Sequence, residues 1–491
     1  MNTDIQPSFT NQELLINFTP QETRIAVVEN GVLQELHIER ASQRGLVGNI
    51  YCGKVNRVLP GMQAAFVDIG LPKAAFLHAS DFHHNESAEH HPDITECVTE
   101  GQQVIVQVIK DPLGTKGARL TTDLTLPSRY LVLMPNNQHV GISQRIEDES
   151  ERERLRQLVE PIAEELGMGF IVRTAAEGVD ETSLRQDALY LQRLWEAIKH
   201  KRLRAQPGTL IYQDLDLAAR AIRDLAREDM KKILIDSREN FQRLHEFVKQ
   251  LMPDALNKLA YYSGERPLFE LYNIEDEIQK ALQRKVDLKS GGHIVIDQTE
   301  AMTTIDVNTG AFVGHKNLEE TIFKTNLEAA VTLARQLRLR NLGGIIIIDF
   351  IDMTNEEHKR QVLRTLEKAL EKDRAKTTIS EVSSLGLVQM TRKRTRESLE
   401  HILCEPCPMC QGRGFIKTAQ TVCYELFREI LRANRAYECQ QVMVLASESV
   451  IERLLDEESD SVAELEAFIG KPIRFQVETM YSQEQFDVIP V

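Results

Sequence analysis

No stretch of the sequence approaches the ~18 consecutive apolar residues that would cross a bilayer. The opening, MNTDIQPSFTNQELLINF, lacks the basic start and sustained apolar run of a secretory leader, so a cytoplasmic location without membrane attachment is expected. Glycine and proline are sparse, 25 and 16 positions in 491, and apolar residues make up 42%, which excludes a low-complexity or fibrous chain and leaves a folded globular one. An even cysteine set is missing too. Seven are present: Cys404, Cys407 and Cys410 crowd together, while Cys52, Cys97, Cys423 and Cys439 are scattered. That pattern speaks against an oxidised scaffold and for reduced thiols with one candidate metal cluster. The chain also lacks a basic excess: its net charge of -15 repels polyanions at long range. Locally the sign reverses. Lys372, Arg374, Lys376, Arg392, Lys393, Arg394 and Arg396 stand against only Asp373 and Glu381, and Arg335, Arg338 and Arg340 lie upstream. Such runs are either solvated faces or a nucleic-acid footprint.

The length is about three times a typical domain of ~150 residues, so several cores are expected. Residues 13–40 alternate apolar and polar side chains around Asn30-Gly31, a tight-turn pair, and read as strands opening a sheet. From Gly48 to Thr122 short strands separated by proline and glycine turns suggest a small closed barrel. Within it, residues 81–100 are polar and carry His83, His84, His90 and His91; without a rigid spacing these read as a loop rather than a metal tract. Residues 123–218 mix strands with charged helices, and a helix-rich stretch follows to about 285. Residues 290–376 alternate strands and helices, and IIIID, having no polar alternation, predicts a strand buried between two covering layers of an α/β core. Residues 417–491 read as a small α/β domain.

Asp306 in TTIDVNTG and Asp349 in IIIIDF each follow an apolar strand, where open α/β sheets bind ligands. Two close carboxylates repel unless a cation separates them, and oxygen ligands suit Mg²⁺. Asn308 falls on the same side of the chain as Asp306. Taken singly, either aspartate reads more simply as a turn cap, whereas the pair with Asn308 favours a metal site; Asp297 and Asp352 occupy similar strand-end positions.

The segments AAFVDIG, KGARLTT, YLVLMPNN, FIVRTAAEGV, GGHIVIDQTEAMTTIDVNTG, TNLEAAVTLARQLRLRNLGGIIIIDFIDM and CPMCQGRG resemble the catalytic region of the ribonuclease E/G family, from about residue 13 to the end. The resemblance implies a multidomain α/β protein. A ribonuclease-H-like subdomain in two parts, 1–47 and 219–281, would be interrupted by an S1-type OB-fold barrel at 48–122 and a 5′-phosphate sensor domain at 123–218. A DNase-I-like catalytic subdomain at 282–403, a zinc link at 404–416 and the small domain at 417–491 would follow.

It further implies an endoribonuclease that cuts single-stranded RNA, leaving a 5′-phosphate and a 3′-hydroxyl, in ribosomal RNA precursor maturation and mRNA decay. Asp306 and Asp349 would hold Mg²⁺, with Asn308 orienting Asp306 or meeting the scissile phosphate. In the barrel, Phe66 and Phe76 would stack bases and Lys110 and Lys116 meet phosphates, although alternation alone makes such phenylalanines core residues. Arg173 and Thr174, with the backbone near Ser128 and Val132, would grip a 5′-monophosphate; by residues alone Arg173 is equally an ion-pair partner. Lys376 stands where the family has an arginine, and cannot form its bidentate fork.

Cys407 and Cys410 would supply half of a Zn²⁺ site shared by two chains, giving a homodimer or a higher oligomer. A closed single-chain site using Cys404 and His401 is the other arrangement that four-coordinate zinc allows. The ending soon after the small domain suggests a shorter family member without the degradosome-scaffolding tail; the core of a longer member and a non-catalytic RNA-binding assembly protein are the alternatives.

Overall fold

The computed structural model describes residues 11–82, 93–112, 116–226, 230–310, 318–383, 385–394 and 396–491. His83, His84, His90 and His91 lie outside them. The chain divides into two compact units, Met1–Ile402 and Leu403–Val491.

In the first unit, one sheet is assembled from distant parts of the chain. Its strand order is Leu259–Tyr261, Met230–Ile235, Gln12–Phe18, Glu22–Glu29, Val32–Arg40. The Asn30-Gly31 turn forms as expected, with both residues at positive φ (52° and 79°). Leu14, Ile16 and Ile25 pack with Ile233 and Ile235 against helices Leu217–Leu225 and Arg238–Leu251.

Between those parts lies the barrel: strands Ile50–Leu59, Ala64–Asp68, Ala75–His78, Arg119–Thr121 and Gln103–Lys110, closed by pairing of the first with the last. Closure removes the open edges, and Val55, Val67, Leu77, Val106 and Leu120 fill the interior. Strand Thr209–Tyr212 adds to it from well downstream, at a place where Gly70 and Gly208 touch: a Cβ on Gly70 would fall 2.2 Å from the Gly208 carbonyl oxygen. A four-stranded sheet of Val140–Ile142, Gly169–Val172, Leu131–Met134 and Leu126–Pro127 packs on helices Glu149–Leu166 and Glu181–Arg202, which start on the capping side chains of Asp148 and Asp180.

The last sheet of this unit has the order Lys285–Asp287, His293–Gln298, Met302–Asn308, Gly344–Asp349, Leu387–Arg392, Thr377–Val382. Here the expectation of a strand buried on both faces is corrected. Ile346 and Ile348 are buried against helices Leu318–Leu339 and Glu356–Leu370, whereas Ile345 is 48% exposed. The sheet is mostly antiparallel, with one parallel pair among its strands, and such sheets need only one covered face.

The second unit holds a three-stranded sheet, Ile473–Val477, Val442–Ala446, Phe486–Pro490, with helices Ala419–Ala436, Glu448–Leu455 and Ser459–Ile469. Its own core centres on Leu426, Val444 and Leu454. Among the described residues no helix is long and apolar enough to cross a membrane.

Candidate active site and RNA interface

Strands Met302–Asn308 and Gly344–Asp349 run parallel with Asp306 directly opposite Asp349. Register partners share a face, so both carboxylates emerge from the uncovered side, on strands ~4.8 Å apart. The covered side takes Thr303, Ile305 and Val307. The Asn308 amide donates to Asp306 Oδ2 at 2.8 Å and fixes its orientation. Partial burial, then the charges of Asp306 and Asp352, push the Asp349 carboxyl above its ordinary value. Asp352 thus joins the acidic group, whereas Asp297 is spent on both arms of Arg284.

Sequence reading missed what sets Asp349 in place. Asn326, fully buried on helix Leu318–Leu339, donates to the Ile351 carbonyl at 2.8 Å and accepts from its N–H at 3.1 Å. This clamps the chain two residues past Asp349. Asn326→Leu should leave both Ile351 groups unpaired, costing roughly 1–3 kcal/mol for each, and should lower kcat as the carboxylate drifts. Urea unfolding paired with cleavage kinetics checks it; wild-type values in both would refute the clamp.

On the barrel, register builds a row across five strands: Arg57 opposite Phe66, Phe66 opposite Phe76, Phe76 opposite Arg119, and Arg119 opposite Lys110. The two phenyl rings are half-buried and meet edge to face, 6.1 Å apart at 70°. They therefore belong to the surface row and not to the barrel core. Bulges between Val55 and Arg57 and between Val108 and Lys110 bring the two end residues into line. Arg119 is held by Asp81 through bonds of 2.8 and 3.1 Å; neither it nor Arg57 stood out in the sequence. Lys116 is exposed.

Arg173 is bound from two sides. Its Nη1 donates to the Ser128 carbonyl, and its Nη2 to Asp224 Oδ1 at 2.9 Å. Ser128 is fully buried: its amide donates to the Leu131 carbonyl and its hydroxyl to Asp187. The geometry leaves Ser128 holding Arg173 rather than offering a donor of its own. Asp187 also accepts from the amides of Tyr130 and Leu131; burial pushes its carboxyl up against the pull of these bonds. Val132 sits mid-strand between Ile171 and Pro127, and Thr174 is half-buried beside Arg173. Lys376 is exposed, its carbonyl accepting from the Lys393 amide. It is Arg374 that reaches Asp224, donating to its carbonyl at 3.1 Å.

Much of the basic run is consumed internally. Arg392 pairs with buried Asp373 at 2.6 Å, Lys372 with Glu29, Arg338 with Glu35, and Arg394 donates to the Gly343 carbonyl. Arg392, Lys372 and Arg338 each face a carboxylate already, so these three add less net positive charge to a nucleic-acid footprint than the run suggests.

In the second unit, Cys407 and Cys410 precede a tight turn in which Gln411, Gly412 and Gly414 take positive φ. Amides of Gly414 and Gly412, with Cys407, lower the Cys410 thiol below its ordinary range. Among the described residues no three His, Cys, Asp or Glu gather as a metal-ligand set. In the first unit, His401 Nδ1 meets the Ser398 hydroxyl at 2.7 Å.

An aromatic and basic row on a closed barrel, in one compact unit with a strand-end carboxylate pair, is an arrangement suited to a protein that binds nucleic acid. A model described as the ribonuclease E/G family matches residues 125–395, that of the S1 RNA binding domain matches 46–122, and that of the RNase E/G thioredoxin-like domain matches 406–490. The chain belongs to the ribonuclease E/G family, and is an RNA-cleaving hydrolase. It is similar to ribonuclease G of Escherichia coli strain K12, 59% identical over 97% of this chain and 99% of the relative. It is 57% identical to ribonuclease G of Haemophilus influenzae, over 97% and 99%. Ribonuclease E of Escherichia coli is 41% identical over 93% of this chain and 44% of its own length.

Proposed function

We propose that the chain is an endoribonuclease that hydrolyses single-stranded RNA internally, leaving a 5′-phosphate and a 3′-hydroxyl, in ribosomal RNA maturation and mRNA decay. The observation that carries the mechanism is the register pairing of Asp306 with Asp349 beside Asn308. Burial and then the charges of Asp306 and Asp352 raise the Asp349 carboxyl, and such a gathering of carboxylate oxygens suits a hard divalent ion. Asp306 and Asp349 would hold Mg²⁺, with Asp352 nearby. Bound there, Mg²⁺ would supply Lewis acidity toward the phosphoryl oxygens and the attacking water. Asn308 keeps Asp306 in one orientation, and the barrel row of Phe66, Phe76, Arg119 and Lys110 would stack bases and meet phosphates, with Arg57 and Lys116 at its margins. A 5′-phosphate product requires water as nucleophile, so no histidine pair is needed.

Arg173, with Thr174 and the backbone at Val132, would contact a substrate 5′-monophosphate, and exposed Lys376 would add charge without a fork. Cys407 and Cys410 would provide two thiolates to a Zn²⁺ completed by a second copy; two ligands per chain and four-coordinate zinc support that homodimer. The sheet built from both sides of the barrel supports the ribonuclease-H-like assignment of 1–47 and 219–281. The helix-covered sheet of 282–403 supports the DNase-I-like one.

The test is cleavage of matched oligoribonucleotides bearing a 5′-phosphate or a 5′-hydroxyl, with Mg²⁺ or EDTA. EDTA should abolish cleavage, and the phosphorylated substrate should be cut faster. At subsaturating Mg²⁺ the rate should fall on acidification, beginning above the usual carboxylate range. Asp349 binds its proton early, the proton competes with the metal, and excess Mg²⁺ should restore the rate. Cleavage that survives EDTA would overturn the mechanism.

A further inference from the structure

We propose that Asp224 sets the strength of the 5′-phosphate preference by occupying Arg173 as an internal anion that an incoming terminal phosphate must displace. This rests on the reading that Arg173 contacts that phosphate. The geometry separates an anchored half of the guanidinium from an exchangeable half. Nη1 is held by the Ser128 carbonyl, itself fixed by full burial, while Nη2 reaches the Asp224 carboxylate at 2.9 Å. Exchange at Nη2 therefore does not require Arg173 to leave its place.

Asp224 loses nothing essential when Arg173 lets go. Arg223, only 7% exposed, grips the same carboxylate through Nε at 3.0 Å and Nη2 at 2.9 Å, and Arg374 donates to the Asp224 carbonyl at 3.1 Å. No buried charge is orphaned by the switch, which keeps its cost low. Access is open as well. The side chains of Arg173 and Asp224 are 28% and 32% exposed, so solvent reaches both partners of the pair. Burial opposes ionisation of Asp224, but Arg223 and Arg173 prevail and hold its carboxyl below the ordinary value, so it remains an anion at neutral pH. A dianionic phosphate outcompetes a carboxylate for a guanidinium, and the affinity it shows is reduced by the fraction of molecules in which Asp224 occupies the site.

The experiment is steady-state cleavage by the full chain of one oligoribonucleotide carrying either a 5′-phosphate or a 5′-hydroxyl, read as the ratio of KM for hydroxyl over phosphate. Asp224→Asn should raise that ratio roughly 3- to 10-fold over wild type, with the change in KM for the phosphorylated substrate and not in its kcat. Asp224→Glu, which restores the charge, should return the ratio toward wild type, a rescue that a purely structural role would not produce. If Asp224→Asn does not fold, Asp224→Ser makes the same comparison. A ratio equal to or below wild type in the charge-removed variant overturns the proposal. Arg173→Gln separates the two levels: it should bring the ratio to about one. If it does so while Asp224→Asn changes nothing, only the role of Asp224 falls; if Arg173→Gln keeps the wild-type ratio, the sensing assignment falls with it.

Discussion

Asp306→Asn and Asp349→Asn are each expected to reduce cleavage by at least about 10²–10³-fold, the scale of losing one group that stabilises charge in the transition state. RNA affinity should change little, because the barrel row that would grip the strand lies on a separate sheet. The Asp306 substitution has a second readout of opposite sign. Asp349 has its carboxyl raised in the folded protein, partly by Asp306, so at neutral pH the metal-free fold carries an ionised group it disfavours. That cost is absent in acid, where Asp349 is protonated, and appears as pH rises through the folded value. Removing the Asp306 charge relieves it. Thermal unfolding in EDTA at neutral pH should therefore show Asp306→Asn at least as stable as wild type, while turnover collapses. Lost activity with lost stability would point to a structural aspartate; unchanged turnover in both variants would remove them from the reaction.

Replacing Cys407 and Cys410 together by serine is the second large effect. If each chain gives two thiolates to a shared Zn²⁺, both halves of the coordination shell vanish at once, and metal release should accompany conversion of dimer to monomer. The small domain should stay folded, since Leu426, Val444 and Leu454 give it a core of its own. Metal analysis and light scattering read the result. Wild-type zinc content and mass in the double variant would exclude the shared site. Cys404→Ser should leave both unchanged, because two thiolates from each of two chains already complete a four-coordinate shell.

The sequence was explicit wherever local chemistry suffices. Asn30-Gly31 forms its turn because both positions need positive φ, and the barrel strands were marked by spacing and turn residues. Long motifs such as TTIDVNTG and IIIIDFIDM identified the family, which the comparisons show. Other features depend on what faces what. An apolar run reads alike whether one face or two are covered, so the exposure of Ile345 was invisible. Bulges shift alternation by one residue, so the alignment of Arg57 and Lys110 with the two phenylalanines could not be counted from spacing. Partners far apart along the chain, Arg173 with Asp224 and Asn326 with Ile351, leave no periodic trace.

By itself, then, the order of residues determined the lineage, the turns and which side chains are candidates for chemistry. Only tertiary structure decided that Asp306 faces Asp349, that Arg173 is already paired, and that much of the basic run is spent internally. Propensity and motif act over a few neighbouring residues, whereas register and charge pairing are properties of strands and helices brought together from remote parts of the chain.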